Sequence, residues 1–343
     1  MMIQQITQNE VITLFMGAIV AFLLVLFISP TFIEAVRKKK FGQEVRDEGP
    51  TAHLAKQGTP TMGGAVIVIG FLGAVLVCCI REGTVPTAVL QILLLTLGFG
   101  LAGFLDDYLK IARHNSKGLS PKQKLLIQLV IALIFAVWTY YRPAEGIVPG
   151  KILVPFTGLG VKAKGITLPV WLYIPFVILA ALGTDNGTNF TDGLDGLLSS
   201  VTIPVALFFL IAGTFVSGTF GISVASAAMT GALMGFLFFN AYPAKVFMGD
   251  TGSLAIGGYV AAAAVISGCE LYIIIVGFVY LAEVLSVIIQ VTYFKATHGK
   301  RIFLMTPIHH HFELCGNSET RIVTAFTIVT ALLAGLGLIG IWA

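Results

Sequence analysis

Charge is the scarcest thing in this sequence. Of 343 residues, Asp, Glu, Lys and Arg together make up 11%, less than half of the roughly 25% typical of a soluble domain. That excludes an ordinary polar globular surface, and no stretch between the apolar runs is long enough to fold as a separate soluble domain. The net charge is only +4. No basic face interleaved with aromatics accompanies it, so no nucleic-acid partner is expected. Cysteine is equally sparse: Cys78, Cys79, Cys269 and Cys315 show neither metal-ligand nor redox spacing, and no disulfide framework is expected. Residues 1–10 hold no Lys or Arg. The apolar run that follows them is too long for a leader peptide and is expected to stay as a membrane span.

What is abundant is apolar. The hydrophobic fraction is 57% and the mean hydropathy is +0.93, values of a chain embedded in a bilayer. About 20 mostly apolar residues cross the hydrocarbon core. Ten such spans are expected, at about 11–33, 61–80, 88–105, 123–141, 169–184, 197–213, 221–239, 252–267, 271–291 and 322–342. The sixth to ninth are rich in Gly and Ala, which lets helices approach closely. The fold class is therefore an all-α polytopic membrane protein, residues 1–343 forming one integral membrane domain. Sixteen of the 21 Lys and Arg fall in the segments 34–60, 106–124, 184–196, 240–251 and 292–321. Because basic residues are retained on the cytoplasmic side, those five segments are expected there, with both termini on the outer, periplasmic side.

The acids are distributed more tellingly. Six of the seven Asp, at 106, 107, 185, 192, 195 and 250, sit at span ends that this topology places on the cytoplasmic face. Only Asp47 lies elsewhere. One Asp at a helix end needs no function beyond meeting water. Six converging near lipid call for pairing or a bound cation. Carboxylates are hard oxygen donors, and magnesium is commonly held by one or two of them while substrate phosphates fill other positions. The same segments supply Lys56, Lys110, Lys117 and Lys122, the glycines of TPTMGG and FMGDTGS, and His309, His310 and His311. Together they point to chemistry on a phosphate at one membrane face.

Some readings stay open on the residues alone. In NFTDGLDG, Asp192 and Asp195 share a face if the segment is helical; alternatively Asp192 caps a helix N-terminus without a ligand. Three consecutive histidines cannot all face one way on a helix, and helical zinc sites favour wider spacing. Contacts from one or two of them to phosphate or a proton, or a solvated interfacial loop, are the competing readings. Glu283, inside the ninth span, is either functional or a hydrogen-bonded acid facing the bundle interior, and is not counted as a site residue.

The blocks RDEGPTAHLAKQGTPTMGG (46–64), DDYLK (106–110), NSKGLSPKQK (115–124), TNFTDGLDGL (188–197), VFMGDTGSLA (246–255) and TPIHHHFE (306–313) resemble the motif set of the phospho-N-acetylmuramoyl-pentapeptide transferases. These belong to the polyprenyl-phosphate N-acetylhexosamine-1-phosphate transferase superfamily. Single blocks such as DD occur widely, whereas the full ordered set is specific. DNGTN stands where the family pattern suggests NAVN, and Thr251 where Val is common, which bears on fine contacts and not on the chemistry.

The resemblance implies a multi-pass enzyme of the bacterial cytoplasmic (inner) membrane, serving peptidoglycan synthesis and working as a homodimer. It would transfer phospho-N-acetylmuramoyl-pentapeptide from UDP-N-acetylmuramoyl-pentapeptide to undecaprenyl phosphate with Mg2+, yielding lipid I and UMP. Residue by residue, it implies that Asp250 ligates magnesium, that Asp106 deprotonates or positions the lipid phosphate, and that Asp107 supports the metal or the adjacent cation. His309 joins these three as catalytic. Asn189, Asp192 and Asp195 would serve the nucleotide, with Phe247 stacking on uracil and Gln290 meeting its polar edge. Lys56, Lys122, His309, His310 and His311 would contact phosphates or the sugar. Phe247 could equally be one of many lipid-facing or core rings, and Lys122 an interfacial cation facing anionic lipid. A sister enzyme using another UDP-sugar would share the DD pair but not TPIHHHFE. A transporter would place its charges near the midplane, in an internal repeat that is not seen here.

Overall fold

The computed structural model describes residues 7–38, 58–113, 118–157, 165–217 and 219–342. Its helices are α1 (Gln8–Lys38), α2 (Gly64–Glu82), α3 (Thr87–Ala112), α4 (Pro121–Tyr141), α5 (Val170–Thr191), α6 (Leu197–Ala212), α7 (Phe220–Asn240), α8 (Gly249–Ser267), α9 (Ile273–Val276), α10 (Phe278–Ala296), α11 (Ile308–Leu314) and α12 (Glu319–Trp342). Among the described residues, ten helices are long and apolar enough to cross a bilayer: all but α9 and α11. One small antiparallel hairpin interrupts them, β1 (Lys151–Leu153) on β2 (Gly165–Thr167).

The centre is α8, where every residue from Thr251 to Ser267 is buried. It packs most extensively on α3 and α5, while α7 packs against α1, α6 and α2. Small residues make that closeness feasible. A Cβ on Gly103 of α3 would run into the Asp250 carbonyl, and one on Gly64 would run into Gly252, so these backbones touch directly. The peripheral helices turn large apolar side chains outward, as Phe27, Ile80, Trp171, Leu179 and Leu332 do. That is the inverse of a soluble surface and fits lipid as the solvent.

Hydrogen bonds sort the connections to two ends of the bundle. At one end, Thr13 of α1 bonds Glu82 of α2, Thr87 bonds Glu145, and the hairpin region meets both Gly268 and Gly340 through Leu153 and Phe156. The opposite end gathers 58–63, 118–120, 192–196, 241–248 and 297–318, and with them the acidic residues.

Three expected boundaries are corrected. The third span does not give way to a loop at 106: α3 continues to Ala112, because Lys110 neutralises Asp106 and Asp107 from the i+4 and i+3 positions of the same helix. The segment 184–196 is not a loop throughout. Here α5 runs to Thr191, its polar residues bonding back onto their own helix: Asn186 to the Leu182 carbonyl, Thr188 to that of Asp185 and Thr191 to that of Gly187. The ninth span is not continuous from 271, since a short turn of helix, α9, ends at Gly277 before α10 begins.

Candidate active site

Three helix ends bring the chemistry together. The C-terminal part of α3 supplies Asp106, Asp107 and Lys110; the N-terminus of α8 supplies Asp250; and the first turn of α4 supplies Lys124. Asp106, Asp107 and Asp250 each offer a carboxylate oxygen, and these oxygens lie within 4.8 Å of one another. The Lys110 ammonium sits among them, 2.6 Å from Asp106 Oδ2, 3.0 Å from Asp250 Oδ2 and 3.8 Å from Asp107 Oδ1. Lys124 Nζ stands 3.2 Å from Asp250 Oδ2. Asn189, near the end of α5, donates from Nδ2 to Asp250 Oδ1 at 2.9 Å and to Ser253 Oγ at 2.9 Å.

The adjacent acids do different things. Asp107 accepts from the backbone N–H of Asp250 (3.2 Å), the N–H of Thr251 (2.9 Å) and the Thr251 hydroxyl (2.7 Å). No side chain of α8's own N-cap residue, Met248, performs that service, so Asp107 caps the central helix from a neighbour and meets the positive end of its dipole. Asp106 instead accepts from the Leu119 N–H at 2.6 Å, pinning the turn that precedes α4. That turn starts the helix with a reciprocal capping box between Ser120 and Gln123 and with Pro121 in the first turn.

Lys122 does not join the cluster. It is exposed, and the cation that reaches the acids is Lys124, which the sequence reading passed over. The signal was available: Lys124, Gln128, Ala132, Phe135 and Thr139 recur at helical spacing, and the last four are buried. Gln128 of this stripe bonds Asp185, an acid buried one helical turn below Asn189 whose second oxygen has no partner among the described residues.

The acidic turn follows α5. Asp192 is neither on a helical face with Asp195 nor an N-cap: it is the C-cap of α5, and residues 192–196 form a turn. Burial, then the negative charges of Asp250, Asp107 and Asp195, push its carboxyl well above the usual range. Asp195 Oδ2 accepts from the Ala244 N–H at 2.9 Å, tying the turn to the loop before α8. Phe247 is half-buried in that loop, its backbone paired with Pro60 and Gly63.

The histidine segment packs against this turn from the other side. His309 is buried and its Nδ1 lies 3.1 Å from Glu283 Oε1, so Glu283 is a second residue that the sequence reading left out of the site. His310 Nδ1 lies 2.6 Å from Glu313 Oε2, and His311 Nδ1 accepts from the Leu304 N–H at 3.2 Å. Gln290 is engaged with the chain itself: its Oε1 accepts from Ile302 and Phe303, and its Nε2 donates to the Phe303 carbonyl. Lys56 lies outside the described residues.

Comparison with known proteins gives this arrangement a context. Residues 89–268 match glycosyl transferase family 4, and residues 56–68 match signature 1 of the phospho-N-acetylmuramoyl-pentapeptide-transferases. The chain is 45% identical over 325 residues to a phospho-N-acetylmuramoyl-pentapeptide-transferase of Clostridioides difficile (strain 630), covering 95% of this chain and 97% of that one. It is 47% identical over 332 residues to proteins of the same name from Bacillus mycoides (strain KBAB4) and Bacillus thuringiensis (strain Al Hakam), covering 94% of this chain and 96% of each of them.

Proposed function

The chain belongs to the phospho-N-acetylmuramoyl-pentapeptide-transferase family, and from that premise we propose that it moves phospho-N-acetylmuramoyl-pentapeptide from its UDP carrier onto undecaprenyl phosphate. An oxygen of the lipid phosphate attacks the sugar-bearing phosphorus of the UDP substrate. The new P–O bond forms as the bridging P–O bond breaks, the electron pair leaves with UMP, and lipid I is the product. One substrate is water-soluble and the other carries a hydrocarbon tail, so the reacting phosphates meet at a bilayer surface. The observation that carries this reading is the gathering of three carboxylates and two lysines at one end of a bundle of apolar helices.

The family implies magnesium, and the donor set suits it: hard carboxylate oxygens within reach of one another. Asp250 would hold the ion with Asp106 beside it, because the Oδ2 of each is engaged by lysine side chains that can swing away, whereas both oxygens of Asp107 are committed to α8. When bound, magnesium offsets negative charge on the pyrophosphate. Lys110 and Lys124, released from the acids, are the cations for the phosphates. Asp106 would position the lipid phosphate or take its proton. The turn at Asn189, Asp192 and Asp195, with Phe247, would serve the nucleotide, with Lys56 and Lys122 at the approach and His309, His310 and His311 on the sugar-phosphate side. Gln290 would reach uracil only after giving up its bonds to residues 302 and 303.

The topology belongs to the same reading: the acidic end is cytoplasmic, both termini are periplasmic, and the chain works in the bacterial inner membrane as a homodimer. The deciding experiment follows label from the UDP substrate into an organic-soluble product. Undecaprenyl-phosphate-dependent transfer with stoichiometric UMP is expected. Absence of such transfer by the purified protein supplied with both substrates and Mg2+ would refute the proposal.

A further inference from the structure

Inside the bilayer-spanning part of α10, Glu283 is fully buried and touches one side chain of consequence, His309, which is 1% exposed. The pair spans two elements. Along α10, Glu283, Ser286 and Gln290 recur at i, i+3 and i+7 and are all buried, forming a polar stripe on an otherwise apolar helix. Gln290 grips the backbone of 302–303 and Glu283 grips the imidazole seven positions further on. The stripe therefore fixes both the start of the histidine segment and the ring of its first histidine.

Two atoms in this arrangement are orphaned. His309 Nε2 and Glu283 Oε2 are buried and have no hydrogen-bond partner among the described residues. Buried polar atoms are paired in the great majority of cases, and an exception calls for an explanation. The Nε2 edge of His309 faces Gly193, where an added Cβ would collide with the ring. The orphan nitrogen thus abuts the acidic turn Asp192–Gly196, between that turn and α10. A carboxylate on Nδ1 selects the ring form with a proton on Nδ1 and leaves Nε2 as the working nitrogen.

We propose that Glu283 is a positioning residue for the transfer reaction: it holds His309 with Nδ1 protonated and Nε2, an acceptor, turned to the acidic turn, where a hydroxyl of the UDP substrate's sugar donates to it. The assignment rests on the transferase reading for its kinetic consequence but not for its spectroscopic one. Glu283 touches no substrate and acts through His309 alone. Glycine at 193 is part of the same device, since a side chain there would displace the ring.

The test uses the full-length protein in detergent or nanodiscs, with Glu283→Gln, Glu283→Asp, His309→Asn and the double variant Glu283→Gln/His309→Asn. Gln preserves shape and an acceptor for Nδ1–H but not the charge. Its turnover is expected to fall by about tenfold to a hundredfold, as when the carboxylate behind a metal-bound imidazole is removed, with an unchanged melting temperature. Glu283→Asp restores part of the loss, and Glu283→Gln costs nothing further in the His309→Asn background. Wild-type turnover in Glu283→Gln would overturn the proposal by reducing the pair to a clamp. An equal loss with and without His309 would overturn it by showing that Glu283 acts elsewhere. Independently of activity, 15N spectra of histidine-labelled protein, assigned with His309→Asn, should show the His309 proton on Nδ1; a ring protonated on Nε2 alone would overturn the assignment. Failure of the wild-type protein to transfer label would refute the parent reading and leave the spectroscopic outcome to stand or fall by itself.

Discussion

Asp107→Asn should destabilise the protein where Asp106→Asn does not, although the two residues are neighbours with the same side chain. Asp107 receives three hydrogen bonds at the start of α8, two on Oδ2 from Thr251 and one on Oδ1 from the Asp250 N–H. Asparagine keeps one accepting oxygen. Directed at Thr251, it leaves an amide NH2 facing the Asp250 N–H, a buried donor without an acceptor, at about 1–3 kcal/mol. Losing negative charge at the helix N-terminus adds about 0.3–1 kcal/mol. Attraction to Lys110 at 3.8 Å is also lost while repulsion from Asp106 and Asp250 is relieved, and these oppose each other. A net loss of about 2 kcal/mol remains. In a chain of this length that is a fall of roughly 3 °C in melting temperature, taking about 1.4 °C per kcal/mol from an unfolding entropy of about 2.1 cal/mol/K per residue. Asp106→Asn keeps its acceptor for the Leu119 N–H, and Lys110 keeps Asp250, so its melting should match wild type within about 1 °C, less than the effect of 1 kcal/mol. The assay is thermal unfolding of detergent-purified protein in EDTA, followed by tryptophan fluorescence. Equal melting of Asp107→Asn and wild type, or an equal drop in both variants, would refute the division of roles.

The same geometry fixes the outcome of other perturbations. Asp106→Asn should retain UDP-substrate binding by calorimetry while turnover falls about 100- to 10,000-fold, the range for loss of a general base; near-normal turnover would remove Asp106 from the chemistry. Asp250→Asn should weaken Mn2+ binding read by electron paramagnetic resonance, and Lys110→Met should tighten it in the substrate-free protein, because a competing ammonium is gone; weaker binding in Lys110→Met would contradict that competition. In a background lacking Cys315, a membrane-impermeant thiol reagent added to intact cells should label cysteine at Glu145 and not at Lys122, and the reverse would invert the topology. Asp192, whose folded-state carboxyl is raised by burial and neighbouring carboxylates, contributes stability fully present below the ordinary carboxylate range near pH ~4. That contribution is lost as pH climbs through its raised value. Asp192→Asn should flatten the decline of melting temperature with rising pH in metal-free protein, and an unchanged slope would deny the shift.

Hydropathy made the ten spans legible, since each is a long apolar run that lipid alone selects. It misjudged where polarity ends a helix. The readings of 106 and 184 as loop starts treated Asp and Asn as exits from the bilayer, but α3 carries its own counter-ion at Lys110 and α5 carries Thr and Asn that bond back to the helix. Local compensation of this kind depends on spacings of three and four, which a running average of hydropathy erases. The break at Gly277 escaped for the opposite reason: residues on both sides of it are equally apolar, and only the chain's turn through α9 distinguishes them.

Within the site, residue types were legible and partners were not. A carboxylate pair at 106–107 announces that two acids leave one helix about 100° apart, yet nothing in the two letters says which faces α8. That choice is made by partners 143 and 144 residues away, the Asp250 and Thr251 amides, which Gly103 brings against Asp107 by letting the start of α8 lie directly on α3. Having been fixed there, the remaining acid is left to the cleft, and Lys110 completes the arrangement because i+3 and i+4 from a DD pair coincide on one lysine. Two lysines then offset two of the three carboxylates: Lys110 and Lys124 hold Asp106 and Asp250. Carboxylates crowded this closely and partly buried would otherwise repel one another, so the lysines stabilise the resting site. For the same reason a metal ion and a pyrophosphate cannot simply add to it. On the proposed reading the carboxylates would hold the ion, the displaced ammonium groups would turn to the phosphates, and each exchange would make the other less costly, so metal and nucleotide are expected to bind this site with positive coupling.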